Sequence, residues 1–253
     1  MSGDAVLRDA LLALRAAPRR RLFLDYDGTL VDLAAQPELA LADADLIDLL
    51  RALARSPGTE VVVVSGRARA SLGGLLGALP IGLSAEHGLW LRPPVGGASW
   101  RALADPALDL RAVVAILEHA ARRHPGARVE RKERSLAFHY RNADLDDDAL
   151  RRLRVSLRVA AGPDATVLDG KCVIDVMPRG VGKRLAMAAL QNPTNRPNDD
   201  VAVFAVGDDT TDLSLLDAAP PKAWLATVGT ALPRRTLWFA APANLRAFLR
   251  QLL

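Results

Sequence analysis

Leu22-Phe23-Leu24-Asp25-Tyr26-Asp27-Gly28-Thr29-Leu30 is an apolar strand that ends abruptly in two carboxylates, Asp25 and Asp27. Asp-x-Asp at the C-terminal end of a strand sets a potential nucleophile beside a potential proton donor. In an open α/β sheet, ligands bind outside that end of the strands. Gly28 and Thr29 then turn the chain sharply away, as a loop beside a ligand requires.

The rest of the chain supplies the sheet. Residues 41–54 carry Leu46, Leu49, Leu50 and Leu53 at helical spacing, and Ser56-Pro57-Gly58 ends that helix. Glu60 to Val64 is a valine run suited to a central parallel strand buried on both faces. Ser65-Gly66-Arg67 follows, then a helix over 68–78 and a short strand at 81–84. This β-α-β-α-β order predicts a doubly wound sheet. The pattern breaks at Arg92-Pro93-Pro94-Val95-Gly96-Gly97. Beyond it the pattern predicts a helix over about 106–124, a strand pair over 127–141, a charged helix over 146–159 and a strand over 172–177. That block reads as α+β and as an insertion. The predicted organisation is a core over 1–97, an inserted domain over 98–178, and the rest of the core over 179–253. The returning core has a helix from Lys183, a polar loop over 192–200, an all-apolar strand over 201–206 ending in Gly207-Asp208-Asp209, and a tail of two short strands and two helices.

Composition narrows the function classes. The 253 residues are half apolar and one quarter charged, with net charge +4, and are ordinary for a globular protein. The positive charge is nearly all arginine, since the only lysines are Lys132, Lys171, Lys183 and Lys222. There is no Lys/Arg run interleaved with aromatics, so no nucleic-acid partner is expected. Pro18-Arg19-Arg20-Arg21 reads as a solvated helix–strand connection. Cys172 is the only cysteine, which rules out an intramolecular disulfide; its apolar neighbours predict a buried, inert thiol. No segment has the length of a membrane-spanning helix, and residues 1–17 lack the apolar core of a signal peptide. A cytoplasmic monomer acting on an anionic small molecule is expected.

Four elements fall at predicted strand ends or helix starts: Asp25-Tyr26-Asp27, Ser65, Lys183 and Gly207-Asp208-Asp209-Thr210-Thr211-Asp212. Each alone also reads blandly, as a turn, a loop, a solvated lysine or a helix cap. Together they make one site. A carboxylate attacking an anionic phosphoryl group needs its charge managed, and Mg²⁺ held by carboxylates does this. Asp25 and Asp208 are ligands from adjacent strands, with the Asp27 backbone carbonyl a third; Asp209 and Asp212 complete the site or hold its waters. Lys183 supplies compact positive charge to nucleophile and phosphate. The Ser65 hydroxyl and the neighbouring amides, including Gly66, donate to phosphate oxygens. Asp25 is then the nucleophile, and Asp27 protonates the leaving oxygen and activates water.

These motifs, in order over residues 25–212, resemble those of the haloacid dehalogenase (HAD) phosphatases. The resemblance implies an HAD-like Rossmannoid core, an aspartyl-phosphate intermediate and Mg²⁺. An insertion between Ser65 and Lys183 looks like a C2-type cap. Ser65-Gly66-Arg67, Ala85-Glu86-His87-Gly88 and the segment Glu130-x-Lys132 with His139-Tyr140-Arg141 further resemble the trehalose-6-phosphate phosphatases. By that resemblance Arg67, Glu86, His87, Gly88, Glu130, Lys132, Arg141 and Asp175 bind substrate, and the substrate is trehalose 6-phosphate.

Three departures stand out. The family's Glu-Val-Arg-Pro is here Asp175-Val176-Met177-Pro178, its Lys-Gly is Lys183-Arg184, and the Glu after Thr-Asp is Leu213. None removes a catalytic residue. The changes at 175 and 177 leave open a trehalose-like pseudodisaccharide phosphate such as validoxylamine A 7′-phosphate, or another glycosyl phosphate. A catalytically silent sugar-phosphate-binding regulator is the alternative from another class.

Overall fold

A computed structural model of the chain describes residues 3–94, 99–104, 108–191, 201–233 and 235–253. It divides into two compact units. One is built from the chain up to Leu103 and from Gly182 onward; the other is Ala104–Val181.

The first unit is built on a sheet. Its strands are β1 (Arg19–Asp25), β2 (Thr59–Val64), β3 (Gly82–Ala85), β4 (Trp90–Arg92), β5 (Arg101–Ala102), β10 (Val201–Gly207), β11 (Trp224–Val228) and β12 (Leu237–Phe239). Their order is β12-β11-β10-β1-β2-β3-β4-β5. From β12 to β3 all neighbours are parallel, while β4 and β5 pair antiparallel. The chain lays β1, β2 and β3 outward in one direction, then returns to add β10, β11 and β12 on the other side of β1. The reversal between β1 and β10 makes a crevice at their C-terminal ends.

Alternation in the buried strands feeds two apolar layers. Leu22, Leu24, Val61, Val63, Phe204 and Val206 pack on one face with Leu14 of α1 (Gly3–Ala16), Leu46 and Leu50 of α2 (Ala44–Arg55), Leu72 of α3 (Arg69–Leu76), and Leu245 and Phe248 of α8 (Pro242–Arg250). Phe23, Val62, Val64, Val203 and Ala205 pack on the other with Met187 of α6 (Arg184–Gln191) and Leu215 and Leu216 of α7 (Leu213–Asp217). A strand covered on both faces has no polar face to show, which explains the near-continuous apolar runs. The Asp43 side chain caps α2 by accepting from the Leu46 amide at 2.7 Å.

Several expectations are corrected. Arg19–Arg21 is not a solvated connection: it begins β1, and Arg20 and Arg21 are buried. Arg20 donates to the carbonyls of Leu14 and Leu252, and Arg21 to the Leu190 carbonyl and Glu60. Forked guanidinium groups suit the orphan carbonyls in the last turns of helices, as at Leu14 and Leu190, so these charges serve the core. The Pro/Gly break does not end the first unit, because Arg101–Ala102 still pairs with Trp90 and Leu91. The expected boundary at 97/98 and the expected loop over 192–200 lie outside the described residues.

The second unit is a four-stranded antiparallel sheet with two helices. β6 (Arg128–Arg131), β7 (Leu136–His139), β8 (Ala165–Gly170) and β9 (Val173–Pro178) run in the order β6-β7-β9-β8. One face packs Leu136, Phe138, Ile174 and Val176 against Val113 and Leu117 of α4 (Arg111–Arg123) and Leu150, Leu153 and Leu157 of α5 (Asp147–Ala161). β8 does not stand out in the sequence: it is an edge strand, half-buried along its length, and its residues do not alternate. Cys172 also differs from expectation. It sits in the turn between β8 and β9 with φ of 62°, half-buried rather than inside a covered strand.

Candidate active site

The crevice at the sheet reversal collects the sequence motifs. Asp25 ends β1, Asp208 follows β10 directly, and Ser65 follows β2 directly. These are three neighbouring strands of one parallel set, so their ends lie side by side. Lys183 stands immediately before α6 and is buried with them. Its Nζ donates to Asp25 Oδ1 at 2.6 Å and to Asp212 Oδ1 at 2.5 Å. Asp212 Oδ2 accepts the amides of Asp208 and Asp209, at 3.0 and 3.1 Å. Asp212 therefore ties the lysine to the turn that carries Asp208. Asp209 accepts from the Thr210 amide at 2.6 Å and caps that turn.

The electrostatics are unbalanced. Asp25, Asp208 and Asp212 are all buried, and each offers an oxygen within 4.8 Å of the others. Burial and the charge of Asp212 push the Asp25 carboxyl well above the usual range, against the pull of Lys183. Lys183 is held above the usual range: burial pushes it down, but Asp212 and Asp25 outweigh that. Among the described residues, Asp25 Oδ2 is buried without a hydrogen-bond partner. A buried oxygen left unpaired in a negative cluster fits a hard cation, an attacking atom, or both in turn. Gly28 makes room for the Asp208 carboxylate: at φ of 79°, a β-carbon there would lie 2.2 Å from Asp208 Oδ2.

The loop after β2 faces the same crevice. Ser65 Oγ accepts the Arg67 amide at 3.1 Å, which leaves the hydroxyl proton for an anion. Gly66 lies against the His87 ring, which a β-carbon on Gly66 would meet at 2.6 Å. Glu86 and His87 are buried with φ of 47° and 55°. Their amides donate to the carbonyls of Arg67 and Ser65, at 2.9 and 3.0 Å. Gly88 lies against the Gly182 carbonyl. Residues 86–88 thus wedge the Ser65 loop and the start of α6 together. Two consecutive non-glycine residues in the left-handed region cost about 1–2 kcal/mol each. Such strain persists where the surrounding structure fixes it.

Arg67 and Asp27 engage one another. Arg67 Nε and Nη2 donate to the two oxygens of Asp27 at 2.8 and 2.7 Å. The guanidinium is buried and lies over the Tyr26 ring. Burial raises the Tyr26 hydroxyl to about 12, and it stays neutral and donates to the Ala40 carbonyl at 3.1 Å.

In the second unit, the sheet face opposite the apolar core is polar. Glu130, Ala137 and Asp175 lie in one row across β6, β7 and β9. Lys132 Nζ donates to Asp175 Oδ1 at 2.9 Å, with both side chains buried. Glu130 Oε2 lies 2.9 Å from His139 Nε2. Burial pushes the Glu130 carboxyl up, but His139 and the Lys132 charge hold it below the usual range. His139 is missing from the sequence-derived site residues, although strand alternation places it on the face that carries Glu130. Arg141 stands apart, past the end of β7, where it donates to the Lys171 carbonyl.

Known proteins resemble the chain in sequence and fold. The trehalose-phosphatase family profile matches residues 23–223. The bifunctional trehalose-6-phosphate synthase/phosphatase of Thermoproteus tenax is 42% identical over 241 residues, which cover 93% of this chain and 32% of that protein. The chain thus spans about a third of that relative's length. The C-terminal domain of C. albicans trehalose-6-phosphate phosphatase superposes with a TM-score of 0.88 at 26% identity, covering 97% of this chain and 96% of that one. A Bacteroides thetaiotaomicron phosphatase of the haloalkanoate (HAD) enzyme superfamily superposes with a TM-score of 0.59 at 21% identity, covering 92% and 95%. The fold is HAD-like, and the chain belongs to the trehalose-phosphatase family.

Proposed function

We propose that the protein is a Mg²⁺-dependent sugar-phosphate phosphatase that hydrolyses trehalose 6-phosphate through an aspartyl-phosphate on Asp25. The observation that carries this reading is the Asp25 carboxylate: one oxygen is held by Lys183, and the other is buried without a hydrogen-bond partner beside Asp208. A carboxylate held at one oxygen presents the other to phosphorus. Asp25 and Asp208, with the Asp27 carbonyl, would hold the cation. Asp212 keeps Lys183 and the Asp208 turn in place. When bound, Mg²⁺ neutralises the charge of the incoming phosphate.

The chain's own groups do the rest. Ser65 and the Gly66 amide bind phosphate oxygens, and Lys183 offsets the charge that gathers on them. Asp25 attacks phosphorus as the sugar oxygen departs, and Asp27 gives that oxygen a proton. Asp27 then removes a proton from the water that cleaves the aspartyl-phosphate. In the inserted unit, a C2-type cap in this reading, Glu130, Lys132, Asp175 and His139 are the sugar-binding groups. Paired donors and acceptors select a polyol strongly, because a poor ligand leaves them unsatisfied.

A phosphate-release panel with Mg²⁺ tests the reading. It comprises trehalose 6-phosphate, validoxylamine A 7′-phosphate, sucrose 6-phosphate and glucose 6-phosphate. Trehalose 6-phosphate should have the highest kcat/KM, and Asp25→Asn should abolish its turnover while thermal unfolding stays cooperative. Turnover of trehalose 6-phosphate no faster than glucose 6-phosphate overturns the substrate. Retained turnover in Asp25→Asn overturns the mechanism.

A further inference from the structure

By resemblance Arg67 is a substrate-binding residue, yet its guanidinium is committed to the protein. Besides the two-point contact with Asp27, Nη2 donates to the carbonyls of Pro37 at 2.6 Å and Ala40 at 3.2 Å. The guanidinium carbon lies 4.9 Å from the centroid of the Tyr26 ring. Tyr26 is fully buried and bonds the same Ala40 carbonyl. Arg67 is thus seated on an aromatic face and hooked to the turn at Pro37–Leu39. Its remaining reach is toward Asp27, whose side chain is 29% exposed while that of Arg67 is 6% exposed. The arginine holds the carboxylate from the buried side and leaves the other side open.

We propose that Arg67, seated on Tyr26, is the positioning residue of Asp27. It does not bind the sugar: it fixes the place from which Asp27 serves the leaving oxygen. A planar guanidinium fork grips both oxygens of a carboxylate and sets its plane as well as its distance, which a lysine cannot do. The identity of the residue between the two aspartates follows. Tyr26 points away from the crevice into the core and supplies the ring that levels the guanidinium. The proton that Asp27 passes to the leaving oxygen is replaced by one from the attacking water, so the grip needs no net proton of its own.

The inference rests on Asp27 being the acid of the proposed reaction, and the test separates the two. Arg67→Lys, Arg67→Gln and Tyr26→Leu are assayed with Mg²⁺ on trehalose 6-phosphate and on p-nitrophenyl phosphate, whose leaving group departs without protonation. The kcat for trehalose 6-phosphate should fall at least about tenfold further than that for p-nitrophenyl phosphate, the scale of general acid catalysis. KM for the sugar phosphate should stay nearly constant. In an Asp27→Asn background, the Arg67 substitutions should add no further selective loss. Equal losses on both substrates, or a loss carried by KM alone, overturn the proposal. A thermal-unfolding cycle reads the pair without any turnover: Asp27→Asn should lower Tm in the parent and leave it unchanged in Arg67→Gln. Additive Tm changes overturn the pairing even if the true substrate is another sugar phosphate.

Discussion

Gly28→Ala should separate the chemistry of the crevice from its stability. The residue has φ of 79°, so a β-carbon there costs about 1–2 kcal/mol of backbone strain. The same β-carbon would lie 2.2 Å from Asp208 Oδ2 and 2.5 Å from its Cγ. Ordinary contact begins near 3.4 Å, so the carboxylate must retreat by about 1.2 Å. Gly229 provides the control. It also has positive φ, 65°, but among the described residues a β-carbon there meets nothing within 4 Å. Gly229→Ala should therefore show the strain alone, a Tm lowered by about 2–8 °C with kcat unchanged. Gly28→Ala should show the strain, a further loss from the displaced carboxylate, and a fall in kcat of about a hundredfold, the scale for a misplacement near 1 Å. The apparent Mg²⁺ requirement should rise with it. Differential scanning fluorimetry and a phosphate-release assay across a Mg²⁺ series measure both. If Gly28→Ala matches Gly229→Ala in Tm and in kcat, Asp208 does not hold the cation and the reasoning fails.

Three further outcomes follow from the same geometry. Lys183→Met leaves Asp25 and Asp212 buried without their ammonium, so urea unfolding should show about 3–5 kcal/mol lost at neutral pH and turnover should vanish. Phe138 is fully buried in the second unit's apolar layer, and Phe138→Ala should destabilise that unit by about 3–5 kcal/mol, read by hydrogen exchange of β7 and β9 amides. Glu130 has its carboxyl held below the usual range, so its partners stabilise the fold above the unfolded glutamate value and that stabilisation disappears as pH falls through the lowered folded value. The stability difference between the parent and Glu130→Gln, measured by urea unfolding from neutral to acidic pH, should shrink over that window.

What the sequence made legible was whatever depends on local pattern. The valine run at 61–64 and the apolar run at 201–206 read as covered parallel strands, which places Ser65 and Asp208 after them at strand ends. What it hid depends on partners far away in the chain. Arg20 and Arg21 look like solvated charges until Leu252 and Leu190 bring them carbonyls. The partners of Arg67 stay hidden until the chain folds Asp27, Pro37 and Ala40 around it. His139 was within reach of the sequence, because β7 alternates, but its partner Glu130 is fixed only by the register of β6 against β7. β8 gave no signal because an edge strand need not alternate.

The place of β10 beside β1 has a consequence for how the protein is made. Arg19 stands opposite Val201, so the pairing that creates the crevice spans 182 residues of chain (201 − 19). The second unit, by contrast, is one continuous stretch whose widest strand pairing, Leu136 with Val176, spans 40 residues (176 − 136). Local contacts form early, while long loops close late and at greater entropic cost. During synthesis β1 emerges with Asp25 already in place and waits for most of the chain before Asp208 arrives. Until then one edge of β1, whose middle residues Leu22–Leu24 are apolar, is unpaired, a state open to aggregation. Asp25 is therefore made well before Asp208, and the crevice they share is completed late.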